Sequence, residues 1–84
     1  MKITFKLFAS LTDYLPANAR QSNRIELEVA PDATISQIIG PFGLPEKMVH
    51  LVLVNGHYVE TADRLSRTLS EGDVLAIWPP IAGG

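Results

Sequence analysis

The chain has 84 residues, of which 46% are hydrophobic and 19% charged, with a formal net charge of −2 and no cysteine. That is enough apolar material for one small core, and too little positive charge for a nucleic-acid groove or a polybasic membrane contact. The lack of cysteine excludes disulfides, thiolate metal sites, a cysteine nucleophile and a persulfide carried on the chain's own thiol. No apolar run reaches membrane-spanning length, and Met1-Lys2-Ile3-Thr4 lacks the pattern of a signal peptide, so the expected location is cytoplasmic.

Lys2 to Phe8 alternates, with Ile3, Phe5 and Leu7 on one side and Lys2, Thr4 and Lys6 on the other. This pattern predicts a strand with one buried face, and it leaves Phe8 on the polar side. Ala9 to Leu15 predicts a short helical turn with Leu11, Tyr14 and Leu15 inward, closed by Pro16. Ala17 to Asn23 reads as a polar surface loop. Arg24 to Val29 alternates again, with Ile25, Leu27 and Val29 against Arg24, Glu26 and Glu28, and predicts an antiparallel partner for the first strand. After the turn Pro31-Asp32-Ala33, Thr34-Ile35-Ser36-Gln37 fits a capping box, in which hydroxyl and carboxamide satisfy each other's backbone amide. Ile35, Ile38 and Ile39 share one helical face. Gly40-Pro41 ends that helix early, and Leu44 to Val49 is expected to add a turn with Pro45 in its first position.

Leu51 to Val54 is wholly apolar and runs into Asn55-Gly56, the pair that best suits the two positive φ angles of a type I′ hairpin. His57 to Glu60 is the predicted return strand. Thr61 to Leu69 is a connection anchored by Leu65 and Leu69, and Ser70 to Asp73 is a turn. Val74 to Trp78 is a second wholly apolar strand. The order is two strands, a helix, then three strands. The first and last strands suit the centre of a mixed sheet, with one main helix crossing one face. This predicts an α+β chain of β-grasp architecture with about five strands.

One helix covers one face only, yet Leu51 to Val54 and Val74 to Trp78 are apolar on both sides. If Leu75 and Ile77 face the core, then Val74, Ala76 and Trp78 face outward beside Phe8. Either loops such as Ala9 to Asn23 cover this second face, or Phe8 and Trp78 form an exposed apolar partner-binding patch where the chain leaves the sheet; the second is the expectation.

The last strand gives way to an unusual end. Residues 79–84 read Pro79-Pro80-Ile81-Ala82-Gly83-Gly84. Two prolines cannot donate to a ladder and favour extended backbone, so pairing should stop near Trp78. The chain divides into a β-grasp domain over 1–78 and a tail over 79–84, and six extended residues reach roughly 20 Å. Gly83 and Gly84 lack Cβ and fit a channel too narrow for other residues. The Gly84 carboxylate is the one group placed as though for chemistry. His50 and His57 stand apart with no carboxylate at helical spacing, so no metal site is expected. Glu26 and Glu28 read as solvated charge and Asp73 as a turn residue. Neither a nucleophile elbow nor a glycine-rich phosphate loop is present. A carboxylate must be activated before acyl transfer, for instance by adenylation. With no nucleotide site here, the activating enzyme is a partner. The activated acyl group then goes either to a lysine amine or to sulfide, and residue chemistry alone leaves both open.

Gly72-Asp73, the Pro-Pro-Ile-Ala-Gly-Gly end and Val52-Leu53-Val54-Asn55-Gly56 together resemble the MoaD/ThiS sulfur-carrier family, which includes the small subunit of molybdopterin synthase. Lys2 to Leu11 is similar to its first strand and turn. The long polar loop Ala17 to Asn23 and the helix cut at Pro41 depart from the pattern. The resemblance implies a ubiquitin-like fold and a carrier rather than an enzyme, with no cofactor of its own. It implies that an E1-like enzyme adenylates Gly84, that a sulfur donor protein converts it to a thiocarboxylate, and that the large subunit of molybdopterin synthase receives the tail. On this reading Gly83 gives clearance, with Ala82 and Ile81 behind it, and Pro79 and Pro80 present the arm. The alternatives are a carrier for thiamine, cysteine or another sulfur pathway, a ubiquitin-like modifier of lysines, and a β-grasp binding module with an inert tail.

Overall fold

A computed structural model describes residues 1–80; the expectations for Ile81, Ala82, Gly83 and Gly84 lie outside the described residues. Five strands form one mixed sheet in the order β2-β1-β5-β3-β4. They are β1 (Lys2–Leu7), β2 (Arg24–Glu28), β3 (Leu51–Val54), β4 (His57–Tyr58) and β5 (Val74–Trp78). β1 pairs antiparallel with β2 and parallel with β5, and β5 pairs antiparallel with β3. The two apolar strands thus lie near the centre, where hydrogen bonding on both sides suits them.

The helix α1 (Ile35–Ile39) starts at the expected capping box. Gln37 N donates to Thr34 Oγ1 at 3.2 Å, and Thr34 N donates to Gln37 Oε1 at 2.9 Å. Ile35, Ile38 and Ile39 are buried beneath the sheet with Ile3, Phe5, Leu7, Val52, Val54, Leu75 and Ile77. Five residues make a helix about 8 Å long, against a five-strand sheet roughly 19 Å wide. Short 3-10 turns complete the cover. Ala9–Tyr14 brings Leu11 into the core, Ala17–Ala19 brings Ala19, and Gly40–Phe42 carries Phe42 to within 4.5 Å of Phe5, ring centre to ring centre. Ile25, Leu27 and Val29 stay half-buried because they lie at the sheet edge, where this thin layer ends.

Four local expectations are corrected. Tyr14 is 38% exposed, whereas Leu11 and Leu15 are buried. The 3-10 turn ends at Tyr14 and Leu15 becomes extended, so Leu15 rather than Tyr14 swings into the core. The loop 17–23 is not wholly on the surface, since Ala19 is buried. Pro45 precedes the turn Glu46–Met48 instead of opening it. Finally, Leu65 is 74% exposed and anchors nothing, although Leu69 is buried as expected. Leu65 closes the 3-10 turn Thr61–Leu65 in which Arg64 takes the inward position.

Candidate docking face and tail root

The strand parity places alternate side chains of every strand on the sheet face away from α1. The register aligns Leu51 with Trp78 and Leu53 with both Ala76 and Tyr58. It also aligns Val74 with Thr4 and Ala76 with Lys6. This open face is therefore divided. β5, β3 and β4 contribute Val74, Ala76, Trp78, Leu51, Leu53 and Tyr58, whereas β1 and β2 contribute Lys2, Thr4, Lys6, Arg24, Glu26 and Glu28.

Phe8 joins the apolar half. Its amide donates to Ile77 O at 3.1 Å, which extends the β1–β5 pairing by one residue. The chain then turns sharply at Ala9, φ 54°. That turn leaves the Phe8 ring against Trp78, stacked with centroids 3.9 Å apart and planes 4° from parallel. Both rings are half-buried, so each covers part of the other instead of standing free. Ala76 is 6% exposed although it lies on the outer face, being a short side chain between Lys6 and Leu53. Tyr58 at 48% and Leu51 at 36% remain the most open apolar groups of the strip.

β5 ends at Trp78, as the prolines required. Trp78 O accepts from His50 N at 3.1 Å, so the last strand residue is held by backbone on the β3 side. Pro79 is buried and Pro80 exposed. Arg64 is the one buried charged residue among the described residues. Its Nε donates to Val59 O at 3.3 Å, Nη1 to Val49 O at 3.2 Å and Nη2 to His50 O at 3.1 Å. Arg64 therefore ties the approach to β3 and the end of β4 together, and through His50 reaches Trp78. Nothing in the local pattern of the connection 61–69 distinguished Arg64 from a solvated arginine; two of its three partners, Val49 and His50, are distant in sequence.

At the opposite end of β5 a second knot fixes the strand. The hairpin residue Asn55 (φ 52°) and Gly56 (φ 83°) have the positive angles of the expected turn. Asn55 Nδ2 donates to Asp73 Oδ1 at 2.9 Å, Val74 N donates to Asn55 Oδ1 at 2.8 Å, and Ser70 N donates to Asp73 Oδ2 at 2.8 Å. Asp73 is thus a turn residue that also binds the hairpin. His57 and His50 are exposed and apart, and among the described residues no group of three or more His, Asp or Glu side chains is placed to hold a metal ion. No helix of the described residues is long and apolar enough to cross a membrane.

This five-strand sheet with one main helix defines a ubiquitin-like β-grasp domain of the MoaD/ThiS type. The sequence matches the Mut7-C ubiquitin family over residues 1–82, and the chain belongs to that family. Among solved structures it is similar to SAMP1 from Haloferax volcanii, at 26% identity over 100% of both chains with a TM-score of 0.69. It is similar to the Haloferax volcanii HVO 2177 protein at 25% identity, covering 100% of this chain and 87% of that one, with a TM-score of 0.74. Subunit 1 of the molybdopterin-converting factor from Helicobacter pylori, solved in complex with subunit 2, shares the fold at 18% identity over 100% of both chains, with a TM-score of 0.61. No curated protein matches the chain.

Proposed function

We propose that this chain is a sulfur carrier. An E1-like enzyme transfers adenylate from ATP to the Gly84 carboxylate and releases pyrophosphate. Sulfur delivered by a donor protein at the sulfide level then attacks the acyl carbon and displaces AMP, leaving a thiocarboxylate. The loaded tail enters the large subunit of molybdopterin synthase and gives its sulfur to a pterin precursor, and water restores the Gly84 carboxylate. The observation that carries this reading is the end of the chain, Pro79-Pro80-Ile81-Ala82-Gly83-Gly84, coming directly after the central strand β5. The divided open face supports it, because the apolar strip with Phe8 and Trp78 lies where a partner receiving the tail would dock. The Helicobacter pylori relative of this fold, solved with its subunit 2, supports a two-subunit assembly of the same kind.

The similarity to SAMP1, a small archaeal modifier protein, favours a second reading in which the activated glycine is joined to lysines. Both readings share the adenylation step and differ in the nucleophile. Incubation of the chain with the E1-like enzyme of its source organism, ATP and a sulfide source, followed by intact mass measurement, separates them. A mass gain equal to replacement of one oxygen by sulfur at Gly84 is expected. Conjugates to lysine without that gain would establish the modifier reading, and an unchanged mass would leave an inert tail.

A further inference from the structure

The polar half of the open face carries an electrostatic mismatch. In the β1–β2 register Lys2 lies opposite Glu28, Thr4 opposite Glu26 and Lys6 opposite Arg24. The first pair is complementary; the last sets two cations against each other. Leu7 N donates to Asn23 O at 3.0 Å, and Met1 and Val29 exchange backbone bonds. By the alternation of an antiparallel ladder, Lys6 and Arg24 then form a non-hydrogen-bonded pair, the kind whose side chains stand closest, with Cα atoms about 4.5 Å apart. Like charges directly opposite destabilise a sheet. Glu26, the nearest carboxylate along β2, makes no ion pair with either, and the one ion pair among the described residues joins the Met1 ammonium to Glu28 at the far end. On its other side Lys6 is flanked by Ala76, too short to cover it, and two residues on stands Phe8 of the aromatic stack. The positive end of this face is therefore the end at which the tail leaves.

We infer that Lys6 and Arg24 form a recognition clamp for an acidic group on the surface of the tail-activating protein, adjoining the apolar contact at Phe8 and Trp78. The repulsion between them is relieved when a carboxylate of the partner sits between the two cations. The partner is an acidic protein surface and not a nucleic acid, because the chain as a whole has a net charge of −2 and the two cations are not continued into a longer basic track. Such a clamp acts mainly on encounter and selectivity.

The clamp rests on the carrier reading for its probe, the E1-like enzyme. Titration calorimetry of the full-length chain against that enzyme, without ATP or sulfide, tests it at low and high ionic strength. Lys6→Glu places opposite charges across from each other, so it should raise the Tm of the free domain while weakening binding by about tenfold or more at low salt. The gap should narrow at high salt, where exposed charges are screened. Lys6→Arg should bind as the unaltered chain does. Lys47→Glu, in the Glu46–Met48 turn outside the open face, controls for net charge and should also bind normally. Unchanged affinity of Lys6→Glu, equal weakening by Lys47→Glu, or no binding by the unaltered chain would each overturn the clamp. Charge-dependent binding without adenylation when ATP is added would overturn the carrier reading and leave the clamp standing.

Discussion

Replacing Arg64 should unfasten the tail root from within. Its three hydrogen bonds, at 3.1 to 3.3 Å, satisfy the carbonyls of Val59, Val49 and His50. A hydrogen bond from a charged donor contributes roughly 1.5–3 kcal/mol net, and an orphaned buried carbonyl costs about 1–3 kcal/mol. Two terms oppose that loss. Removing the buried guanidinium recovers its desolvation cost, and water reaches the part-buried carbonyls of residues 49 and 50 more easily than that of buried Val59. Arg64→Met, which keeps most of the volume, should therefore destabilise the domain by about 3 kcal/mol. For a domain of this size that corresponds to a Tm lower by roughly 12–24 °C. Arg64→Lys should recover little, because one ammonium cannot reach three diverging carbonyls as the planar guanidinium does. Denaturant melts give the stability, and amide exchange at His50, whose N–H is bound to Trp78 O, reports whether the tail root loosens with it. A loss below about 0.5 kcal/mol, the range of ordinary surface substitutions, with unaltered exchange at His50, would refute this account and make Arg64 a surface residue in all but its exposure.

Trp78→Ala should weaken binding to the large subunit or the activating enzyme by about 2 kcal/mol or more, yet cost the free domain less than the roughly 3–5 kcal/mol typical of a fully buried aromatic. Calorimetry paired with melts checks both, and a large stability loss with unchanged affinity would move the docking face elsewhere. Asp73→Ala removes two side-chain hydrogen bonds, from Asn55 and Ser70, and should cost about 2 kcal/mol. Faster amide exchange at Val74 and across the Asn55-Gly56 hairpin is the accompanying sign. Deleting Gly84 should abolish sulfur loading with no change in melting temperature, measured by intact mass and calorimetric scanning; normal loading of the truncated chain would end the thiocarboxylate mechanism. If the activating enzyme receives the tail as proposed, Gly83→Val should still bind it but load slowly, because a β-branched side chain adds bulk and narrows the backbone choice where glycine has none. Single-turnover loading kinetics at the rate of the unaltered chain would argue for an open channel.

Local patterns carried most of the fold. The alternation of Ile3, Phe5 and Leu7, the Thr34–Gln37 capping box, the Asn55-Gly56 turn and the apolar runs of β3 and β5 each express a constraint between near neighbours, and each is met in the structure. Strand parity, which puts Trp78 on the outer face with Phe8, is also local, since successive strand residues point to opposite sides. Where turns tighten from α to 3-10, that logic fails. The spacing that picks Tyr14 as an inward residue assumes a helical turn, and the observed turn is 3-10, with three residues per turn, and ends at Tyr14. Leu65 is expected as an anchor for being apolar, and the 3-10 turn there buries Arg64 instead.

The sequence by itself determined the strand–strand–helix–strand–strand–strand order, the division between an apolar last strand and a Pro-Pro-Ile-Ala-Gly-Gly end, and the absence of thiol chemistry. These come from periodicity, from proline's missing donor and from composition, all of which are properties of adjacent residues or of the chain as a whole. Tertiary structure alone decided that Lys6 faces Arg24, that Arg64 is buried against three carbonyls, that Asp73 binds the hairpin of Asn55, and that the Phe8 and Trp78 rings stack. Each of those joins residues 14 or more positions apart except for one short contact within the Arg64 set. Their meeting depends on strand register and on where the chain crosses the sheet, and a one-residue shift of register would send the same side chains to the other face.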